Sequence, residues 1–203
     1  EQIIDYTKDI QVNTAKRWAT DILLSQFKSI TKLDSFPSFL KANITDTTLK
    51  VYCNGEINYQ LKGIHPKTSE IWNYKAPDGT GDTHYSIMRG TKSNLIIRQG
   101  KEEDYKPTLY IEPLPTYKTI NIKEAILKLQ KKYSGIEVKE TKNGFQIVIP
   151  EKLKDTHEAH FASVTEKFLG YLKNKNIPVW EVPNMIAKYY TTTKGLKIAY
   201  EKK

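Results

Sequence analysis

Cysteine occurs once in these 203 residues, at Cys53. A single cysteine excludes an intramolecular disulfide and a cysteine-rich zinc site. Long apolar runs are absent, well short of the roughly 20 residues that a membrane-crossing helix needs, so no transmembrane span is expected. Arginine is scarce. Of 32 basic residues only Arg17, Arg89 and Arg98 are arginines; with 23 acidic residues the net charge is +9. Base-edge readers depend on guanidinium forks, whereas lysines scattered along a chain read as a solvated surface. Nucleic acid is therefore not an expected partner. Phosphate-binding glycine loops are lacking too. The nearest approach to Gly-x-Gly-x-x-Gly is Gly79-Thr80-Gly81-Asp82-Thr83-His84, where histidine stands at the third glycine and a strand pattern follows, and no Gly-Lys-Ser or Gly-Lys-Thr occurs. Pro77-Asp78 with Gly79 and Gly81 reads instead as a turn. The first residue is Glu1, and Asp5, Lys8 and Asp9 exclude a secretory apolar core there. The chain reads as a processed protein or a piece of one, soluble, from cytoplasm or periplasm alike.

What is present is an ordinary globular composition, 38% hydrophobic and 27% charged. A chain of this length buries a core without a disulfide or metal staple. Residues 1–20 read as an extended lead-in. Leu23, Phe27 and Ile30, after Thr20-Asp21, predict a short helix closed by Pro37. Strand signals then run from Thr48 to Pro113. Leu49, Val51 and Cys53 alternate with polar neighbours, Asn54-Gly55 follows, and Ile57, Tyr59 and Leu61 alternate again, which predicts a type I′ hairpin. Cys53 is expected to be a small core residue on the Leu49–Val51 face. Further strands are predicted at 67–74, 84–89, 93–98 and 108–112. Short turns imply antiparallel pairing, and residues 48–113 are expected to form one sheet.

A helix is predicted from Thr119, with Ile122, Ile126, Leu129 and Tyr133 on one face and Gly135 ending it; strands 136–141 and 145–149 follow around Asn143-Gly144. Residues 155–174 predict a helix burying Phe161, Val164, Phe168, Leu169 and Leu172, and 184–203 a helix interrupted near Thr191–Thr193 and Gly195. The fold class is α+β: a mainly antiparallel open sheet with helices on one face, a small helix–hairpin annex at about 119–150, and no Rossmann unit.

His157-Glu158-Ala159-His160 misses the zinc-peptidase spacing, because Phe161 stands where the second histidine belongs. Asp155 and Glu158 have capping-box spacing, which gives Glu158 a structural task. A metal-dependent hydrolase using His157, His160 and a remote carboxylate remains a rival, but no metal ligands are assigned. The densest polar cluster is Asp82, His84, Arg89 and Arg98, within 20 residues. Buried charges must be paired, solvated or reserved for a ligand. Alternation puts Asp82 and His84 on one side, with Arg98 from the next strand beside them, and Trp72 and Tyr74 add flat aromatic surface for stacking or packing.

Met88-Arg89-Gly90-Thr91-Lys92-Ser93-Asn94-Leu95-Ile96-Ile97 resembles a strand–turn–strand hairpin of the glucose–fructose oxidoreductase/inositol dehydrogenase (Gfo/Idh/MocA) family, in its C-terminal domain. The strings 81–90, Gly81-Asp82-Thr83-His84-Tyr85-Ser86-Ile87-Met88-Arg89-Gly90, and 180–185, Trp180-Glu181-Val182-Pro183-Asn184-Met185, are similar to one branch, the putative oxidoreductase C-terminal domain. The helix 161–172, the proline loop and residues 185–200 extend the resemblance over nearly the whole chain, with 119–149 the least similar. The resemblance implies the substrate-side half of a two-domain enzyme acting on a sugar or polyol. Its N-terminal Rossmann domain, outside this chain, would hold NAD or NADP. The family's Glu-Lys-Pro lysine motif and its Asp–His segment do not occur here, so no catalytic or cofactor-binding residue carries over. Trp72, Asp82, His84, Arg89 and Arg98 are the expected substrate contacts, a homodimer through the sheet the expected assembly, and the chain alone is expected to be inactive. The alternative is a free-standing carbohydrate- or protein-binding module.

Overall fold

The computed structural model describes residues 2–117 and 122–201. The predicted helix start at Thr119, the end of the last helix at Lys202 and Lys203, and the lead-in residue Glu1 lie outside the described residues. The chain divides into two compact units, 1–75 with 171–203, and 76–170.

In the first unit β1 (Ile10–Leu23) and β3 (Thr48–Leu61) pair antiparallel along almost their whole lengths, from Ile10↔Leu61 to Leu23↔Thr48, with irregularities between Val12 and Thr14 and between Trp18 and Thr20. Helix α1 (Leu24–Thr31) leads away from β1; β2 (Ile44–Thr45) and β4 (Lys67–Glu70) share the other edge of β3. Two expectations are corrected here. The lead-in is a strand, and Thr20 and Asp21 lie inside it; the Gln26 side chain instead accepts the Leu23 N–H at the start of α1. The hairpin expected at Asn54-Gly55 does not form. Asn54 is only 4% exposed, its amide donates to Thr20 Oγ1 at 2.9 Å, and its carbonyl oxygen accepts the Trp72 N–H at 2.7 Å. With β1 as partner on both sides of Asn54, β3 gains more ladder bonds by running straight through than by turning. Cys53 lies exposed beside the irregular stretch rather than in the core.

Helix α4 (Glu181–Glu201) packs on β1 and β3 and is continuous through the expected break. Thr191, Thr192 and Thr193 satisfy their hydroxyls within the helix, on the carbonyls of Ala187, Lys188 and Tyr189. Ala187, Thr191 and Gly195 form its buried stripe, and a Cβ on Gly195 would stand 2.8 Å from Ile57 Cδ1. Small residues at that spacing let the helix approach the sheet closely.

The second unit holds a sheet of order β5 (His84–Arg89), β6 (Ser93–Gln99), β7 (Thr108–Pro113), β9 (Gly144–Val148) and β8 (Glu137–Thr141), antiparallel throughout. The strand signals over 48–113 are thus divided between two sheets, and the annex hairpin extends the second. Helix α2 (Ile122–Gln130) covers one face: Ile122 and Ile126 pack with Ile136 and Ile147, flanked by Leu109, Ile111, Val138, Phe145 and Ile149. Each such isoleucine contributes about 1.5–3 kcal/mol on leaving water. The annex turn lies at Lys142-Asn143, since Thr141 pairs with Gly144. Gly144 is required by close approach, because a Cβ there would stand near the Ile111 carbonyl oxygen, inside contact distance. The α+β class with antiparallel, open sheets holds.

Helix α3 (His157–Asn174) departs from expectation. Phe161, Val164, Phe168, Leu169 and Leu172 are all more than half exposed. An apolar period identifies the face that avoids water without identifying what covers it. Its first turn is capped by Thr156, whose Oγ1 accepts the Ala159 N–H at 3.2 Å, rather than by Asp155. No helix among the described residues is long and apolar enough to cross a membrane.

Candidate functional site

In the second unit, facing residues in an antiparallel register share a side of the sheet. Tyr85 faces Arg98, Ile87 faces Ile96, and Arg89 faces Asn94 across β5 and β6; Arg98 faces Thr108, Ile96 faces Tyr110, and Asn94 faces Glu112 across β6 and β7. Arg98, Tyr110, Glu112, Tyr85 and Arg89 therefore lie on the side opposite the α2 core, which holds Leu109, Ile111 and Ile147. His84 and Gln99 lie on the core-bearing side.

Arg98 reaches diagonally over the Tyr110 ring, 4.9 Å from its centroid, to donate to Glu112 Oε1 at 2.7 Å. Both side chains stay partly open, 34% and 23% exposed, so the remaining guanidinium donors can meet a ligand. The bond from Glu112 holds the Arg98 pKa above the ordinary arginine value, against a smaller opposing effect of burial. The Tyr110 hydroxyl donates to Glu103 Oε1 at 3.1 Å, and Glu103 Oε2 accepts the Gly100 N–H at 3.1 Å. Burial, then the Glu103 bond, push the Tyr110 phenol above its usual range. A short 3₁₀ turn, Lys101–Glu103, sets Glu103 in place. A shallow concavity of about 380 Å³ at this end of the hairpin is bordered by His84, Tyr85, Arg98 and Glu103. An ion pair beside an exposed phenol ring can bind hydroxyls in the plane and pack an apolar face.

The predicted contacts are only partly gathered. His84 and Arg98 border the concavity from opposite sides of the sheet rather than from one, because facing residues pair as Tyr85–Arg98 and His84–Gln99. Asp82 precedes β5, and its carbonyl accepts Gln99 Nε2 at 2.9 Å. Arg89 is exposed at the far end of β5. Trp72 belongs to the first unit, where its N–H and carbonyl are held by Asn54 and Thr20 and its ring lies edge-on to Tyr74 at 6.2 Å. Glu112, Tyr110, Glu103 and Tyr85 were not singled out from the sequence. A signal existed in Thr108-Leu109-Tyr110-Ile111-Glu112, whose alternation puts Tyr110 and Glu112 on one side; the register that places Arg98 there is a tertiary fact.

The turn ahead of β5 closes with Gly79 at φ +78° and the Thr80 N–H donating to the Pro77 carbonyl at 3.0 Å. A Cβ on Gly81 would crowd Tyr105 at 3.1 Å, and a strand follows. This loop therefore leads into a strand and presents no helix N-terminus to a pyrophosphate. His157 and His160 both lie edge-on to Phe161, at 4.9 and 6.5 Å. Among the described residues no three His, Cys, Asp or Glu side chains gather to hold a metal ion.

The sequence pattern of the family described as putative oxidoreductase C-terminal domain matches residues 1–200. A crystal structure of a putative oxidoreductase from Parabacteroides merdae, at 2.23 Å resolution, is similar over 100% of this chain, at 47% identity and a TM-score of 0.94. The chain covers 47% of that protein. No curated protein matches.

Proposed function

Because the chain belongs to the putative oxidoreductase C-terminal domain family, we propose that it forms the substrate-side half of a nicotinamide-dependent oxidoreductase of the Gfo/Idh/MocA superfamily. The observation that carries this reading is coverage. The family spans residues 1–200, yet this length is under half of the similar crystallised oxidoreductase. The other half is then the place for a Rossmann domain with NAD or NADP, which supplies the hydride acceptor or donor.

The substrate in this reading is a sugar or polyol. Hydroxyls of such a molecule bond to the free N–H donors of Arg98 and to the Glu112 carboxylate, and its C–H face packs on Tyr85. Glu112 and the Tyr110 ring hold the Arg98 fork in orientation. Of the other expected contacts, His84 borders this concavity. A homodimer through the second sheet accompanies the proposal, supported by Met88 and Leu95, which face each other across β5 and β6 and are 70% and 41% exposed.

The test expresses these residues together with those that precede them in their gene, and follows reduced-nicotinamide absorbance over a panel of sugars and polyols. Hydride transfer by the longer protein, with neither activity nor dinucleotide binding by the 203-residue chain alone, is the expected result. Absence of a Gly-x-Gly-x-x-Gly βαβ unit in the preceding residues, or micromolar binding of NAD or NADP to the 203-residue chain, overturns it.

A further inference from the structure

The first unit contains a trough unrelated to the surface above. Its floor is Ala15, Gly55 and Ile57 on the α4 side of β1 and β3, since Ala15 faces Ile57 and Arg17 faces Gly55. One wall is α4, at Gly195, Leu196 and Ala199; the other is edge strand β4, at Thr68 and Glu70, which face Ile57 and Gly55. The volume is about 370 Å³, within the range of small-molecule sites. Gly195 lets the helix descend onto Ile57 at one point, while a Cβ on Gly55 would have only the Lys16 carbonyl oxygen within 4 Å. The space above Gly55 is therefore open, next to a helix seated low on the sheet.

Arg17 stands at the end of this trough. Its guanidinium lies over two tyrosine rings, with the carbon 4.2 Å from the Tyr52 centroid and 4.5 Å from that of Tyr200. Both rings are within cation–π distance of the guanidinium, whose five N–H donors point outward in its own plane. Among the described residues the Arg17 side chain makes no hydrogen bond or ion pair, although Lys16 and Lys67 on neighbouring strands both pair with Glu56. A long side chain loses rotamer freedom when fixed. Contacts to two aromatic rings already hold this one, with its fork unspent.

We propose that the trough is a binding site for a small organic monocarboxylate with an apolar body. The carboxylate takes the Arg17 fork in bidentate geometry, and the body lies over Gly55 against Ile57, Leu196 and Ala199. Glu70, on the same side of the sheet and not paired with Arg17, disfavours a ligand with a second negative charge. That selects against inorganic phosphate and dicarboxylates. The site differs in place and chemistry from the polyol surface on the second unit and does not depend on it.

Titration calorimetry on the 203-residue chain with phenylacetate, phenylacetamide and inorganic phosphate tests the proposal. Cys53 lines the same trough and is exposed, so its alkylation by neutral iodoacetamide, read by mass spectrometry, locates the ligand. Phenylacetate should bind and slow alkylation in a saturable way. The isosteric amide should bind about tenfold or more weakly, as expected for loss of a charge-assisted pair, and phosphate should not protect. Arg17→Gln should abolish protection, Arg17→Lys should weaken it by losing the fork, and Tyr200→Phe should keep it because the ring face remains. Circular dichroism confirms that each variant is folded; if Arg17→Gln is not, Tyr200→Leu takes its place with the same expected loss. No heat or protection with phenylacetate, equal binding of acid and amide, protection by phosphate, or full protection in folded Arg17→Gln overturns the proposal.

Discussion

Replacing Asn54 by alanine should destabilise the first unit by about 2–4 kcal/mol. The figure follows from the bonds that the amide makes. The Trp72 N–H donates to Asn54 Oδ1 at 2.7 Å, and without that acceptor a part-buried donor is stranded, at about 1–3 kcal/mol. The Thr20 hydroxyl keeps its own bond to the Trp72 carbonyl, at 2.5 Å, and loses only the incoming amide bond, at about 0.5–1.5 kcal/mol. Trp18, Trp72 and Trp180, the only tryptophans, all lie in the first unit, so urea unfolding followed by tryptophan fluorescence reads that unit alone. With a slope of about 2–3 kcal/mol/M, the midpoint should fall by roughly 1 M. Thr20→Val should cost less after Asn54→Ala than before it, since the two share a bond. A midpoint drop below about 0.2 M, or strict additivity of the two substitutions, would refute the assignment of Asn54 as the polar tie that carries β3 through its Asn-Gly.

Gly144→Ala should destabilise the second unit by about 2 kcal/mol or more, because the new methyl must displace the β7 backbone at Ile111 and Glu112; hydrogen exchange of the β7 and β9 amides checks it. Phe168→Ser on exposed α3 should change stability of the 203-residue chain by less than about 0.5 kcal/mol; a loss like that of a core phenylalanine, about 3 kcal/mol or more, would mean that its apolar face is covered. The Tyr110 phenol should titrate above the ordinary tyrosine value by ¹³C NMR, and Glu103→Gln should bring it part of the way down, since burial is the larger cause. A raised folded-state pKa contributes stability that is complete below pH ~10 and is lost as pH rises through the folded value, so Glu103→Gln should reduce the alkaline loss.

Much of the fold was legible where one principle acted alone. Short strand signals bounded by turn residues located β5, β6 and β7 at 84–89, 93–98 and 108–112, and the period of Ile122 and Ile126 located α2, which packs on Ile136 and Ile147. The sequence was misleading where local propensity met a tertiary partner. Asn54-Gly55 carries a strong turn signal, but a second strand of fourteen residues pairs on both sides of it. Gly195 and three threonines look like a helix break, but hydroxyl–carbonyl bonds and a close floor at Ile57 favour the helix. For the candidate site, Arg98 was found because arginine is rare here. Its partners Glu112 and Tyr110 were not, because which residues face each other across strands depends on register, and a shift of one residue exchanges the sides. Arg17, equally rare, lay in a segment read as lead-in, so nothing placed it against Tyr52 and Tyr200.

The central claim, that the Arg98 surface meets the substrate of a hydride-transferring enzyme, is tested most directly by Arg98→Gln in the longer protein. The measurement is kcat/KM for the best sugar or polyol, with Lys139→Gln, distant on the same sheet, as control. A fall of about tenfold or more, ~1.4 kcal/mol of lost transition-state stabilisation, is expected, with the control unchanged. A value within about twofold of the parent protein would contradict it.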